Sequence, residues 1–115
     1  MPVDIKDAAR LNDIIKAAQA IAAFIQDHTE ESYSQNLLVR SAVERQVEII
    51  GEACRGVSAA LKDAHPEIPW KKIVSTRHIL AHDYGMIKND ILWRIASVYV
   101  PELLVQVQPL LPPPP

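Results

Sequence analysis

Along most of this chain apolar side chains recur every three or four positions, the spacing of one face of an α-helix. Leu11, Ile14, Ile15, Ala18, Ile21, Ala22 and Ile25 form such a stripe and predict a first helix over about residues 4–27. A polar run from 28 to 34 interrupts it and offers serine and threonine caps. Val39, Val43, Val47, Ile50, Cys54, Val57 and Leu61 then predict a longer helix over about residues 35–64. Its other face carries Arg45, Glu48, Glu52 and Arg55, spaced for intrahelical ion pairs. The segment HPEIPW stops that helix, because Pro66 and Pro69 cannot continue one but suit a start. A third helix is expected from near Pro69, with Gly85 placed as its C-terminal stop. Asn89 and Asp90 are placed to cap a fourth, which Pro101 should kink or divide before Leu103, Leu104 and Val107.

Strand alternation, internal repeats and glycine-rich phosphate loops are absent from the sequence. The expected fold is therefore all-α, an up-and-down bundle of four to five helices. We expect one helical domain over residues 1–108 and a proline-rich C-terminal tail over 109–115, extended or frayed.

Composition narrows the setting. The chain has 115 residues, enough for one domain with a real core. Its apolar runs are too short to span a membrane, and Asp4, Lys6 and Asp7 interrupt any secretory segment at the N-terminus. The single Cys54 cannot form an internal disulfide, which fits a reducing cytoplasm, and its neighbours mark it as a small buried hydrophobe. A net charge of −2 argues against a nonspecific nucleic-acid coat. The charge is uneven, however: residues 71–88 hold four Lys or Arg against the one acid Asp83. Any polyanion should be met there.

That basic stretch contains STRHILAHDYG, where most of the candidate chemistry lies. His78 and His82 are one helical turn apart and would suit a metal, but further ligands are missing nearby, so no metal is expected. A Ser/His/Asp triad finds no nucleophile elbow around Ser75. Arginine with histidine suits phosphodiester cleavage instead. The imidazole can take a proton from a ribose 2′-OH or give one to the leaving oxygen, and the guanidinium can hold two phosphate oxygens. RNA carries its own nucleophile, so such a reaction needs no metal. On a regular helix Arg77 and His82 point about 140° apart, which favours a two-fold dimer that sets one motif against its mate. Arg77 and Tyr84, seven residues apart, fall within about 20° of one face.

Three segments carry a family resemblance: AVERQVEIIGEA (residues 42–53), HPEIPWKKIV (65–74) and RHILAHDY (77–84). Through them the chain resembles the HepT-like toxins of the HEPN superfamily, from the first helix to Leu104. The last segment fits the pattern Arg, four residues, His, any residue, Tyr. The resemblance implies an all-helical endoribonuclease toxin of a type VII-like HepT/MntA toxin–antitoxin system, working as a homodimer on an RNA substrate, mRNA or tRNA. It implies Arg77 and His82 as the catalytic pair, with no cofactor for RNA cleavage. It further implies a minimal MntA-type nucleotidyltransferase antitoxin that uses ATP and Mg2+ to attach AMP to Tyr84. Many members have asparagine where this chain has His78, a possible auxiliary group that can orient the arginine or share acid–base work. Glu52, in the matching GEA segment, is placed either to hold Arg77 or to pair with Arg55 or Arg45. The contrasting expectation is a non-catalytic HEPN module that binds nucleotide or scaffolds a nucleotidyltransferase.

Overall fold

In the computed structural model, residues 3–82 and 89–111 are described, with side chains except over 77–82. Four principal rods carry the fold. The first, α1 (Ile5–Ile25), is capped by the Asp4 carboxylate, which accepts from the Lys6 N–H at 2.8 Å. It buries Leu11, Ile14, Ala17, Ala18 and Ile21; of the predicted stripe, Ile15 and Ile25 are partly buried and Ala22 is exposed.

The polar run after α1 is itself partly helical. Thr29 and Ser32 form a reciprocal capping box that starts the short α2 (Glu30–Ser34) and sends Tyr33 into the core. Asn36 then caps α3 (Leu37–Gly56) through the Val39 N–H at 3.0 Å. This central helix packs against α1 on one side and α5 on another, so its buried face is broad: Val43, Val47, Ile50, Gly51, Ala53 and Cys54.

The long helix expected over 35–64 is thus two helices. The backbone turns extended at Val57 and Ser58, and α4 (Ala59–Ala64) follows with Ser58 as its cap. A tertiary contact holds the break. The Asp7 carboxylate of α1, only 6% exposed, accepts from the Ser58 N–H at 2.8 Å and from its hydroxyl at 2.6 Å. Those bonds satisfy a backbone donor that a continuous helix would have used internally.

The third rod, α5 (Trp70–His82), starts where Pro69 allows it, with the Pro69 carbonyl accepting from the Ile73 N–H at 3.1 Å. Trp70 is buried, and its indole N–H donates to the His65 carbonyl at 3.0 Å. The expected stop at Gly85 lies outside the described residues. The fourth rod comprises α6 (Asn89–Arg94), a π-helical turn (Ile95–Tyr99) and α7 (Val100–Val107). It is divided just before Pro101, as expected, and the form of the division has a cause. Proline has no N–H to return to the carbonyl four residues back. The helix widens beforehand, so that the Val100 N–H reaches the Ile95 carbonyl, five residues away. A 3-10 turn (Gln108–Leu110) ends the described chain, with Leu110 and Leu111 against the core.

The described residues are helical with no strand among them. Leu92, Ala96, Val100, Leu103 and Val107 from the fourth rod join the α1 and α3 stripes in one core. Each fully buried leucine, isoleucine or valine contributes about 1.5–3 kcal/mol, so this shared interior sets the geometry of everything attached to it. No described helix is long and apolar enough to cross a membrane.

Candidate functional site

The chemistry-bearing motif sits on α5. Its backbone is α-helical from Trp70 through His82, so Arg77, His78 and His82 occupy its last two turns. The regular-helix spacing assumed for Arg77 and His82 therefore holds along that backbone. Their side chains, and Tyr84 altogether, lie outside the described residues.

The preceding turns of α5 line a groove of about 330 Å³ between α3, α5 and α7. Val47 and Ile50 face it from α3, Ile73 and Thr76 from α5, and Tyr99 and Leu103 from the fourth rod. The Lys72 ammonium lies 5.7 Å from the centre of the Tyr99 ring, a cation–π arrangement. The walls are mainly apolar, and the exposed Lys72, Glu67 and Glu102 also line the groove, so it carries no net positive charge.

On α3, Glu52 accepts from Arg55 at 2.9 Å and Arg45 stands 3.7 Å from Glu48, so both expected surface pairs form. The alternative partner for Glu52, the Arg77 guanidinium, belongs to the side chains not described. His28 and His65 take local roles at helix ends, His28 beside the Ser32 hydroxyl at 3.0 Å and His65 beside the Glu67 carboxylate at 3.1 Å. Among the described residues no three His, Cys, Asp or Glu side chains are grouped to hold a metal ion.

One cluster escaped the sequence reading. Arg40, half-buried on the first turn of α3, donates to Asn89 Oδ1 at 3.4 Å. Its Nε is buried with no partner among the described residues, as is the Tyr33 hydroxyl. Burial, reinforced by the Glu44 charge, pushes the Tyr33 phenol up to about 12, so it stays protonated. Glu44 is itself held above the usual carboxylate range, mainly by burial, against the pull of Arg40. Arg40 and Asn89 are 49 residues apart, and periodicity carries no signal for such a pair.

A family model described as Ribonuclease HepT-like matches residues 14–110, which span α1 to the final 3-10 turn. The chain belongs to the HepT-like ribonuclease family. Similar proteins include a putative RNase of Methanocaldococcus jannaschii, 36% identical over 100 residues, covering 87% of this chain and 92% of the relative. A probable ribonuclease HepT of Thermococcus cleftensis is 33% identical over 93 residues, covering 81% and 84% respectively. A gamma-glutamylcyclotransferase and putative RNase of M. jannaschii is 28% identical over 97 residues, and there the match spans 84% of this chain but 44% of the relative. No solved structure matches the chain. All of α5, with the HepT-like segment RHILAHDY that continues beyond it, falls inside the matched region.

Proposed function

We propose that this HepT-like protein is a metal-independent endoribonuclease, the toxin of a type VII-like HepT/MntA pair acting in the cytoplasm. The reading is carried by the family match over residues 14–110, together with Arg77 and His82 on one continuous helix inside it. His82 takes the proton of a ribose 2′-OH while the Arg77 fork neutralises charge growing on the phosphate oxygens. The 2′-oxygen attacks phosphorus, the P–O5′ bond breaks, and the 5′-oxygen leaves with a proton, giving a cyclic phosphate end. His78, beside Arg77, orients the guanidinium or shares the proton transfer.

A helical separation of about 140° between Arg77 and His82 is poorly suited to one phosphate from one chain. A homodimer, with motif facing motif, supplies the pair across a two-fold axis. A minimal MntA-type antitoxin, using ATP and Mg2+, transfers AMP to the Tyr84 hydroxyl with release of pyrophosphate. The added phosphate on that face then competes with RNA for Arg77.

Arg77→Ala and His82→Ala proteins with wild-type circular dichroism are expected to lose RNA cleavage and growth arrest. Retained activity in both sinks the assignment. Labelled ATP and the purified antitoxin should label wild type and leave Tyr84→Phe unlabelled; equal labelling moves the target elsewhere. Tight nucleotide binding with no cleavage of any RNA would favour the non-catalytic module instead.

A further inference from the structure

We propose that Arg40 is a second phosphate-binding residue for the RNA backbone, standing at the end of the bundle where the catalytic helix finishes. The inference rests on the ribonuclease reading and extends its binding surface to α3.

Placement comes first. α5 packs against α3, and Val47 and Ile50 line one groove with Ile73 and Thr76. Arg40 is held to Asn89, the first residue of α6, which follows the end of α5 at His82 by only seven residues of chain.

The chemistry comes second. A half-buried guanidinium is ordinarily paired with a carboxylate, because its desolvation is costly otherwise. Arg40 forms no ion pair among the described residues: Glu44, one turn along α3, influences it through space only. Among the described residues its guanidinium has one hydrogen bond, long at 3.4 Å, to a neutral amide oxygen. Leu37 and Leu38, in the same first turn, are 68% and 80% exposed, so this end of α3 faces solvent. With Nε buried and Nη1 shared with Asn89, it is the terminal Nη groups that would meet the two free oxygens of a phosphodiester. Glu44 is the opposing charge and limits the affinity.

The test separates binding from cleavage by using a short 2′-O-methyl RNA oligonucleotide, which lacks the nucleophile, alongside bulk tRNA as the cleavable probe. Arg40→Gln should weaken oligonucleotide binding about tenfold, the loss of one charge-assisted contact, and flatten its salt dependence. Arg40→Lys should recover part of the affinity, since the charge remains and the fork is lost. Glu44→Gln should tighten binding at least about twofold by removing the opposing charge, a gain that a misfolded protein would not produce. Wild-type affinity and salt slope in Arg40→Gln, or no gain in Glu44→Gln, overturns the proposal while leaving the Arg77/His82 assignment intact. Oligonucleotide binding that depends on Arg40, with tRNA cleavage indifferent to Arg77 and His82, overturns the assignment and keeps the contact. A wild type that neither binds nor cleaves either RNA overturns both.

Discussion

Replacing Asp7 by alanine tests the contact that divides the second helical stretch. The carboxylate accepts two hydrogen bonds from Ser58, at 2.8 Å and 2.6 Å, and is 6% exposed. Hydrogen bonds to a charged group each contribute about 1.5–3 kcal/mol. Ser58 is exposed, so water recovers part of the loss at its N–H and hydroxyl. Asp7 also lies in the first turn of α1, where a negative charge adds about 0.3–1 kcal/mol against the helix dipole. Together these predict a loss of about 2–4 kcal/mol for Asp7→Ala. Ser58→Ala, which keeps the backbone bond but removes the hydroxyl and the α4 cap, should cost about 1–2 kcal/mol. Urea unfolding at fixed protein concentration, followed by circular dichroism, measures both, and the double variant closes a thermodynamic cycle. A coupling energy of at least about 0.5 kcal/mol is expected for groups in direct contact. An Asp7→Ala protein within about 0.5 kcal/mol of wild type, or a cycle with no coupling, refutes the argument that this pair holds the break.

Three further outcomes follow from buried groups. Glu44 has its carboxyl held above the ordinary range in the folded protein, so the native state favours the protonated form. The folded state is therefore helped below the unfolded pKa, and that help is lost as pH rises through the folded value. Glu44→Gln should raise the melting temperature at pH 7 and lose its advantage below about pH 4, where both states are protonated; an equal effect at both pH values would contradict the burial argument. Tyr33→Phe deletes a buried hydroxyl with no partner among the described residues, so thermal unfolding should show no loss and a gain of up to about 1 kcal/mol. Burial pushes the Cys54 thiol up to about 12, so a thiol reagent at pH 8 should react at the unfolding rate only, and rapid labelling of native protein would place Cys54 elsewhere.

The long rods were legible because each has one apolar face against the core: seven positions predicted for α1 include Leu11, Ile14, Ala18 and Ile21, all buried. The break at Val57 and Ser58 was not legible. Val57 and Leu61 continue the apolar stripe across it, and what holds the break at Ser58 is Asp7, 51 residues away. The short α2 was hidden for a different reason, since its five residues are mostly polar and its start depends on a capping box. The roles expected of Arg77, His82 and Tyr84 came from the family resemblance, because an Arg/His pair at that spacing arises readily by chance; the structure places Arg77 and His82 on one helix and describes neither side chain. Nothing in the sequence singled out Arg40, because its partner is set by where α6 begins.

The π-helical turn Ile95–Tyr99 behaves as a one-residue insertion written into the fourth rod. One extra residue in a helix rotates everything on one side of it by about 100° relative to the other. The widened turn absorbs that rotation, and Leu92 before it and Leu103 and Val107 after it are buried in one core. The Ser97 hydroxyl, bonded back to the Trp93 carbonyl at 2.6 Å, spans the same stretch. Deleting one residue there would restore an ordinary helix with α6 and α7 still in phase. A deletion within the α-helical turns of α6 has no such slack, and either the core or the Arg40–Asn89 contact would then have to give way. The phase of a helix in the far half of the chain thus fixes what stands beside the first turn of α3.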